Sequence, residues 1–339
     1  MPEISVIVLN WNGKQFLDDC FYAMSRQTFR DFETILVDNG SSDGSVEYVR
    51  ARFPEVKLLV LPENLGFTGG NIAGYAQASG SLIVLLNNDT EAHPNWLEEI
   101  HRASQMHSTA GSFASKMMYF DERGRVENCG FDLGMSGATV DLGRDELDGP
   151  EWTQSRKVFG GCGGAVAYRR GMLEAIGFLD PDFFMTYEDL DLSFRAQLRG
   201  FECVYIPGAI VYHRYRATNR TIPSRQVFYS QRNIEVTYLK NMPLGLILRS
   251  APQRLLYEVG AAIYFSKQGA GSAFLRAKLD VLRCLPATLR KRGQIQKSRR
   301  ITNSQLREMM RQPLFFKKLK KLRSAWMMPA QKPNEKSTG

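Results

Sequence analysis

Apolar residues in this chain first appear as short runs, each closed by a polar cluster. Ile4-Ser5-Val6-Ile7-Val8-Leu9 runs into Asn10-Trp11-Asn12-Gly13, the pattern of a buried parallel strand followed by a turn. The pattern returns at residues 32–37 ending on Asp38, at residues 56–60, and at residues 82–86 ending on Asn87. Helical spacing between the runs predicts helices through about residue 27, near 43–52 and near 69–78. Strands alternating with helices predict an α/β fold built on an open, mostly parallel sheet, where ligands bind beyond the carboxyl ends of the strands. The polar clusters fall at those ends: Asn10 to Asn12, Asp38 to Asp43, Asn64 to Asn71, and Asn87-Asn88-Asp89. One ligand within reach of all four is the economical reading.

From about residue 110 the pattern is less regular. It predicts a glycine-rich strand from Val158 to Tyr168, a helix near 188–199, and a short strand over Cys203-Val204-Tyr205-Ile206. Beyond residue 226 the pattern turns helical, with apolar residues recurring among basic ones, and the last ten residues read as a disordered tail. Arg249, Pro252, Gln253 and Arg254 interrupt the apolar stretches before any reaches the ~20 residues of a spanning helix.

Charge sharpens this division. Residues 240–339 carry 22 Lys+Arg against 4 Asp+Glu, a net +18, which leaves 22 basic and 31 acidic residues, −9, in the body. A basic tail on an acidic body points to nucleic acid or to an anionic membrane face. The five cysteines are scattered without CxxC spacing, which argues against a disulfide framework or a zinc ribbon and fits a reducing cytoplasm. The N-terminus lacks the basic start and cleavage pattern of a secretory signal.

Several motifs can carry chemistry. Asp38-Asn39-Gly40-Ser41-Ser42-Asp43 offers groups for a base or ribose, and equally the composition of a turn and helix cap. Asn64-Leu65-Gly66-Phe67-Thr68-Gly69-Gly70-Asn71 sets two glycines before a predicted helix, where amides can face an anion, without the lysine of a Walker loop. Asn87-Asn88-Asp89 presents oxygen ligands suited to Mg²⁺ or Mn²⁺, or simply caps the helix expected near Pro94. Glu188-Asp189-Leu190-Asp191 packs three carboxylates at a helix start, where acidic charge is favourable in any case. A carboxylate in reach of a hydroxyl proton is also what a general base requires. His213 closes a strand-like run and is one of four histidines, a candidate ligand for the same metal.

Together with Gly160-Gly161-Cys162-Gly163-Gly164-Ala165, these segments follow one another in the order found in glycosyltransferase family 2. Over roughly residues 4–240 the chain resembles that family's bacterial rhamnosyltransferase-like branch. The resemblance implies a GT-A type fold with a Rossmann-like mixed sheet. It divides the catalytic domain (1–240) into a nucleotide-sugar half (1–110) and an acceptor half (111–240), followed by a basic amphipathic helical extension (241–329) and a tail (330–339). It implies donor contacts from Asn10, Asn12, Asp38, Asn39, Asn64, Gly66, Asn71, Asn87 and Asn88, with Asp38 facing the nucleobase. Gly163, Gly164, Ala165 and Glu188 fall on the acceptor side, Asp89 and His213 at a Mg²⁺ or Mn²⁺ ion, and Asp189 at the general base. Many relatives carry Asp-x-Asp where this chain has Asn87-Asn88-Asp89, so metal binding is expected to depend on the donor's phosphates.

The activity this implies is inverting transfer from a nucleotide-diphosphate sugar, dTDP-rhamnose or a UDP-hexose, to a glycan or polyprenyl-diphosphate-linked acceptor. The basic extension then suits the inner face of the cell membrane better than nucleic acid. Two rivals remain at this level: a nucleotidyltransferase, which would release pyrophosphate, and a nucleic-acid-binding protein using the tail.

Overall fold

The computed structural model describes residues 1–214 and 224–310. The expected tail and the end of the basic extension lie outside the described residues. Strands β1 (Ile4–Asn10), β2 (Phe32–Asp38), β3 (Lys57–Val60) and β4 (Leu82–Asn87) are joined by helices α1 (Leu17–Ser25), α2 (Ser45–Arg52) and α3 (Gly66–Gln77). After β4 come β5 (Thr90–Ala92), α4 (Trp96–Met106), β6 (Ala110–Tyr119), β7 (Val126–Asn128), and a small hairpin of β8 (Phe131–Leu133) and β9 (Thr139–Asp141). They are followed by β10 (Arg156–Val158), β11 (Ala165–Arg169), α5 (Arg170–Ile176), α6 (Glu188–Leu198) and β12 (Glu202–His213). Four helices complete the described chain: α7 (Ser224–Asn241), α8 (Leu244–Lys267), α9 (Gly271–Ser298) and α10 (Asn303–Met309).

The main sheet runs β10-β12-β6-β11-β4-β1-β2-β3, with β5 on β12 and β7 on β6. β1 to β4 are parallel, whereas β11 is antiparallel to both β4 and β6, so the sheet is mixed as the resemblance implies. Side chains alternate along each strand, so one sheet covers two cores. Val6, Val8 and Leu36 pack with Leu17, Phe21, Trp96 and Ile100 on one face. Ile7, Ile35 and Val37 pack with Met172, Leu173 and Leu192 on the other. The register puts Asn10 opposite Asp38, and Leu9 opposite both Val37 and Asn87, so three of the polar clusters end at one sheet edge.

Three expectations change. The glycine-rich strand is two strands: β10 ends at Val158 and β11 starts at Ala165, with the glycines between them in a loop. The loop runs hard against its neighbours, since a Cβ on Gly160 would lie 2.2 Å from Ser193 Oγ. Gly69 and Gly70 lie inside α3 rather than before it, and a Cβ on Gly70 would meet Leu9 Cδ1 at 2.3 Å, so helix-to-strand packing is what excludes a side chain there. Third, the expected strand at Cys203 extends through His213.

The C-terminal helices are fastened to the catalytic body. Leu190, Phe194 and Leu198 of α6 share a core with Tyr238 of α7, Met242 just beyond it, Leu246 of α8 and Leu306 of α10. The boundary expected at residue 240 falls in the last turn of α7. There the buried Lys240 ammonium pairs with Asp180 Oδ2 at 2.5 Å and Asp191 Oδ1 at 2.7 Å.

Candidate functional site

The carboxyl edge of β1, β2 and β4 is held by an amide and carboxylate lattice. Asn10 Nδ2 donates to Asp38 Oδ1 (3.0 Å) and Ser41 Oγ (3.2 Å), while Asn10 Oδ1 accepts from Asn88 Nδ2 (2.7 Å). Asp38 Oδ2 accepts from the Ser41 amide at 2.9 Å, so both oxygens of this 1% exposed carboxylate are engaged within the chain. Asn39 reaches the next loop, donating to Asn64 Oδ1 and Gly66 O and accepting from the Leu65 amide. Asn71 caps inward on Phe67 O, one turn back in α3. Asn10, Asp38, Asn39 and Asn71 are therefore closed to solvent and set the loops' shape. Asn12, Asn64, Asn87 and Asn88 keep exposed surface for a ligand. Asn12 adopts φ 51°, a left-handed conformation that Asn tolerates, and its Oδ1 accepts from the Ser42 amide at 2.8 Å.

Asp89 and His213 meet as expected. β5 pairs with β12, which brings His213 opposite Thr90 and its Nε2 to 3.2 Å from Asp89 Oδ1. That oxygen is buried and has no hydrogen-bond donor. On the other side of the ring, His213 Nδ1 lies 2.8 Å from Glu127 Oε2. Burial disfavours the imidazolium, but the two carboxylates outweigh it and raise the His213 pKa to about 10. Asp89 Oδ1 and His213 Nε2, 3.2 Å apart, are the oxygen and nitrogen donors that a divalent cation takes once the ring gives up its proton. Glu127, on the other ring nitrogen, would hold the imidazole in place for such an ion. Among the described residues no group of three or more acidic, His or Cys side chains could hold a metal ion, so there Asp89 and His213 form an open pair. Glu127 lies in the irregular middle of the sequence with no motif around it, and only the fold brings it to His213.

The glycine-rich loop ties this edge to α6. Asn87 N donates to Gly164 O (2.9 Å), and the next amide back, Gly163 N, donates to Asp189 Oδ2 (2.9 Å). Asp189 Oδ1 accepts from Leu190 N at 2.7 Å. Burial raises the Asp189 carboxyl above the ordinary range, and these two amides work against that rise. Glu188, its neighbour, has only its own backbone amide. Its Oε2 is buried without a partner, and burial together with the Asp189 charge pushes its carboxyl well up. The pair is therefore split, with the proton held more tightly on Glu188 than on Asp189. Ala165, expected beside the acceptor, is 1% exposed and packs in the sheet core opposite Leu86, where it fixes the register of the two glycines before it.

The glycosyl transferase family 2 model matches residues 5–177. The O-antigen biosynthesis protein RfbC of Myxococcus xanthus is 27% identical over 232 residues, 65% of this chain and 18% of that protein. The N-acetylglucosaminyl-diphospho-decaprenol L-rhamnosyltransferase of Mycobacterium tuberculosis is 24% identical over 244 residues, 64% of this chain and 78% of that one. The chain thus spans about a fifth of the first relative and most of the second.

Among solved structures, GalNAc-T7 with UDP, GalNAc and Mn²⁺ aligns with a TM-score of 0.55 at 16% identity, covering 71% of this chain and 48% of that one. Residues 1–349 of Staphylococcus aureus TarS align at 0.52 and 16% identity, covering 87% and 90%. These likenesses show a shared GT-A fold. With its motifs at the sheet edge, that fold, and a family match over half its length, the chain belongs to glycosyltransferase family 2.

Proposed function

We propose that the chain is an inverting, metal-dependent glycosyltransferase that moves a sugar from a nucleotide-diphosphate sugar, dTDP-rhamnose or a UDP-hexose, to a hydroxyl of a lipid-linked glycan in cell-surface polysaccharide synthesis. The observation that carries this reading is the continuous link from Asn87 through Gly164 and Gly163 to Asp189. It joins the diphosphate edge of the sheet to a carboxylate whose charge two backbone amides favour against the pull of burial.

In the proposed single displacement, Asp189 accepts the proton of the acceptor hydroxyl while that oxygen attacks the anomeric carbon. The bond from that carbon to the diphosphate oxygen breaks on the opposite face, and configuration inverts. Asn12, Asn64, Asn87 and Asn88 line the donor side. Asp89 and His213 would hold Mg²⁺ or Mn²⁺, which when bound offsets charge on the leaving diphosphate. Two chain ligands are few for such an ion, so its affinity should rise when the donor's phosphates complete the shell.

The Mycobacterium tuberculosis relative, named for a diphospho-decaprenol acceptor, supports the lipid-linked class of acceptor here. So does the outer surface of α8 and α9. Leu244, Leu248, Leu255, Leu256, Val259 and Ile263 form a stripe on α8, each 50–69% exposed, and Leu275, Leu279, Leu282 and Leu289 form another on α9 at 48–65%. Exposed Arg249, Arg276 and Arg290 flank the stripes, while the acids of these helices, Glu258 and Asp280, pair with Arg254, Lys278 and Arg232. An apolar stripe bordered by cations suits the anionic inner face of a membrane.

The first experiment is Asp189→Asn. General-base help is worth ~10²–10⁴-fold, so turnover should fall by that factor while nucleotide-sugar affinity stays near wild type. An unchanged kcat would remove Asp189 from the role.

A further inference from the structure

We infer that Asn233 is the positioning residue for the catalytic carboxylate, acting by holding a strained segment immediately before it. The inference rests on Asp189 being the base. Asn233 belongs to α7, outside the family motifs, and has no contact with the sheet edge. Its side chain is fully buried, and its single amide nitrogen donates to two successive carbonyls, Met185 O and Thr186 O, at 2.9 Å each.

Those carbonyls belong to an unusual stretch of backbone. Thr186 and Tyr187 both have left-handed φ, 70° and 71°. L-residues avoid this region, β-branched threonine most of all, so each of the two stores appreciable backbone strain. Tyr187 is the N-cap of α6, so the two dihedrals set the direction in which Glu188 and Asp189 enter the site. Such strain persists only where surrounding bonds over-determine the conformation.

The segment is gripped from two sides. On the α7 side Asn233 is itself aligned by Arg232, whose Nη1 donates to Asn233 Oδ1 (2.8 Å) and to Asp182 O (3.1 Å). On the donor side Phe184 O accepts from Thr68 N at 3.3 Å, and a Cβ on Gly66 would lie 2.2 Å from that same oxygen. Residues 182–187 therefore form a short bridge from the start of α3 to α7, with Asp189 just beyond its end. The grip requires an amide. Two adjacent carbonyls need two donors on one atom, which Asn supplies, whereas Asp offers only acceptors at neutral pH. Without them the carbonyls are left unsatisfied and the two left-handed residues are free to relax, carrying Asp189 away from Gly163.

The test compares Asn233→Asp, Asn233→Ser and Asn233→Asp combined with Thr186→Gly and Tyr187→Gly in the full-length enzyme. UDP and dTDP affinities are measured beside kcat. The expected result for Asn233→Asp is a fall in kcat of about 10²-fold, the scale of an ångström-sized misplacement, with nucleotide affinity within about twofold of wild type. Asn233→Ser, which keeps one donor, falls between.

The glycine pair, at ease in left-handed backbone, restores at least tenfold of the lost kcat. Wild-type kcat in Asn233→Asp, or in Asn233→Ser should the first not fold, overturns the inference. So does a loss of kcat that the glycines do not recover. Asp189→Asn is assayed alongside. If it is active the base assignment fails, whereas an inactive Asp189→Asn beside a fully active Asn233→Asp rejects the clamp alone.

Discussion

Glu188 and Asp189 are adjacent in sequence and chemically alike, yet their surroundings give them different protons. Asp189 receives two backbone N–H bonds, and the buried Glu188 Oε2 receives none. Because Glu188 is already neutral when Asp189 titrates, Glu188→Gln should leave the acid limb of the kcat/KM profile in place, whereas Asp189→Asn removes activity at every pH. Stability gives a second check. A carboxyl whose folded pKa is raised adds stability below its unfolded value, and that stability is lost as pH rises through the folded value. Glu188→Gln should therefore raise Tm relative to wild type above neutral pH and leave it unchanged in acid. A Tm gain confined to acid would reverse the assignment.

At the metal pair, Glu127→Gln leaves Asp89 and His213 in place but weakens the hold on the ring. The expected result is a 10–100-fold higher Mn²⁺ concentration for half-maximal donor-dependent binding, read by titration calorimetry, and an unchanged value would count against it. Asp89, Asp189 and His213 were singled out in the sequence by motif position and by the family resemblance. Glu127 and Asn233 were not, since their roles arise from partners 86 and about 47 residues away.

At the scale of elements, β1, β2 and β4 were legible to within a residue, because a run of apolar β-formers closed by Asn or Asp leaves little alternative. Gly69 and Gly70 were expected before a helix with their amides facing an anion, and at Gly70 the glycine instead serves close packing. Gly70 and Gly74 let α3 settle onto Leu9, Ile7 and Val37, a contact that no local pattern encodes. Gly70→Val should cost ~1–3 kcal/mol by overpacking, read as a lower urea midpoint.

The three acids of α6 also diverge beyond what their spacing implied. Asp191 is fully buried and binds Arg195 at 2.9 Å and Lys240 at 2.7 Å. Lys240→Ala would strand part of that charge. Breaking a buried pair costs ~3–5 kcal/mol, and the lower end is expected because Arg195 stays with Asp191 and Lys291 with Asp180.

At the scale of the whole molecule, the charge asymmetry resolves into direction. Cations of α7 to α9 that face inward, Arg232, Lys240, Arg254 and Lys278, neutralise buried or half-buried acids. Others border the apolar stripes outside. The sequence disclosed the basic excess but not this sorting, which depends on how α8 and α9 lie against α7. Among the described residues no helix is long and apolar enough to cross a membrane.

Vesicles rich in anionic lipid should float the wild-type protein. Leu248→Asp with Leu255→Asp and Leu282→Asp should abolish flotation while leaving transfer to a water-soluble acceptor intact. Truncation at residue 240 is no substitute, since it cuts through the helix that holds Asn233 and the buried Lys240.

The central claim is sugar transfer at Asp189. Purified enzyme with Mn²⁺, a panel of dTDP- and UDP-linked sugars and a polyprenyl-diphosphate-linked acceptor tests it most directly. The account predicts acceptor-dependent release of nucleoside diphosphate, a product of inverted anomeric configuration by NMR, and loss of both in Asp189→Asn. Release of pyrophosphate from a nucleoside triphosphate, retention of configuration, or full turnover in Asp189→Asn would contradict it.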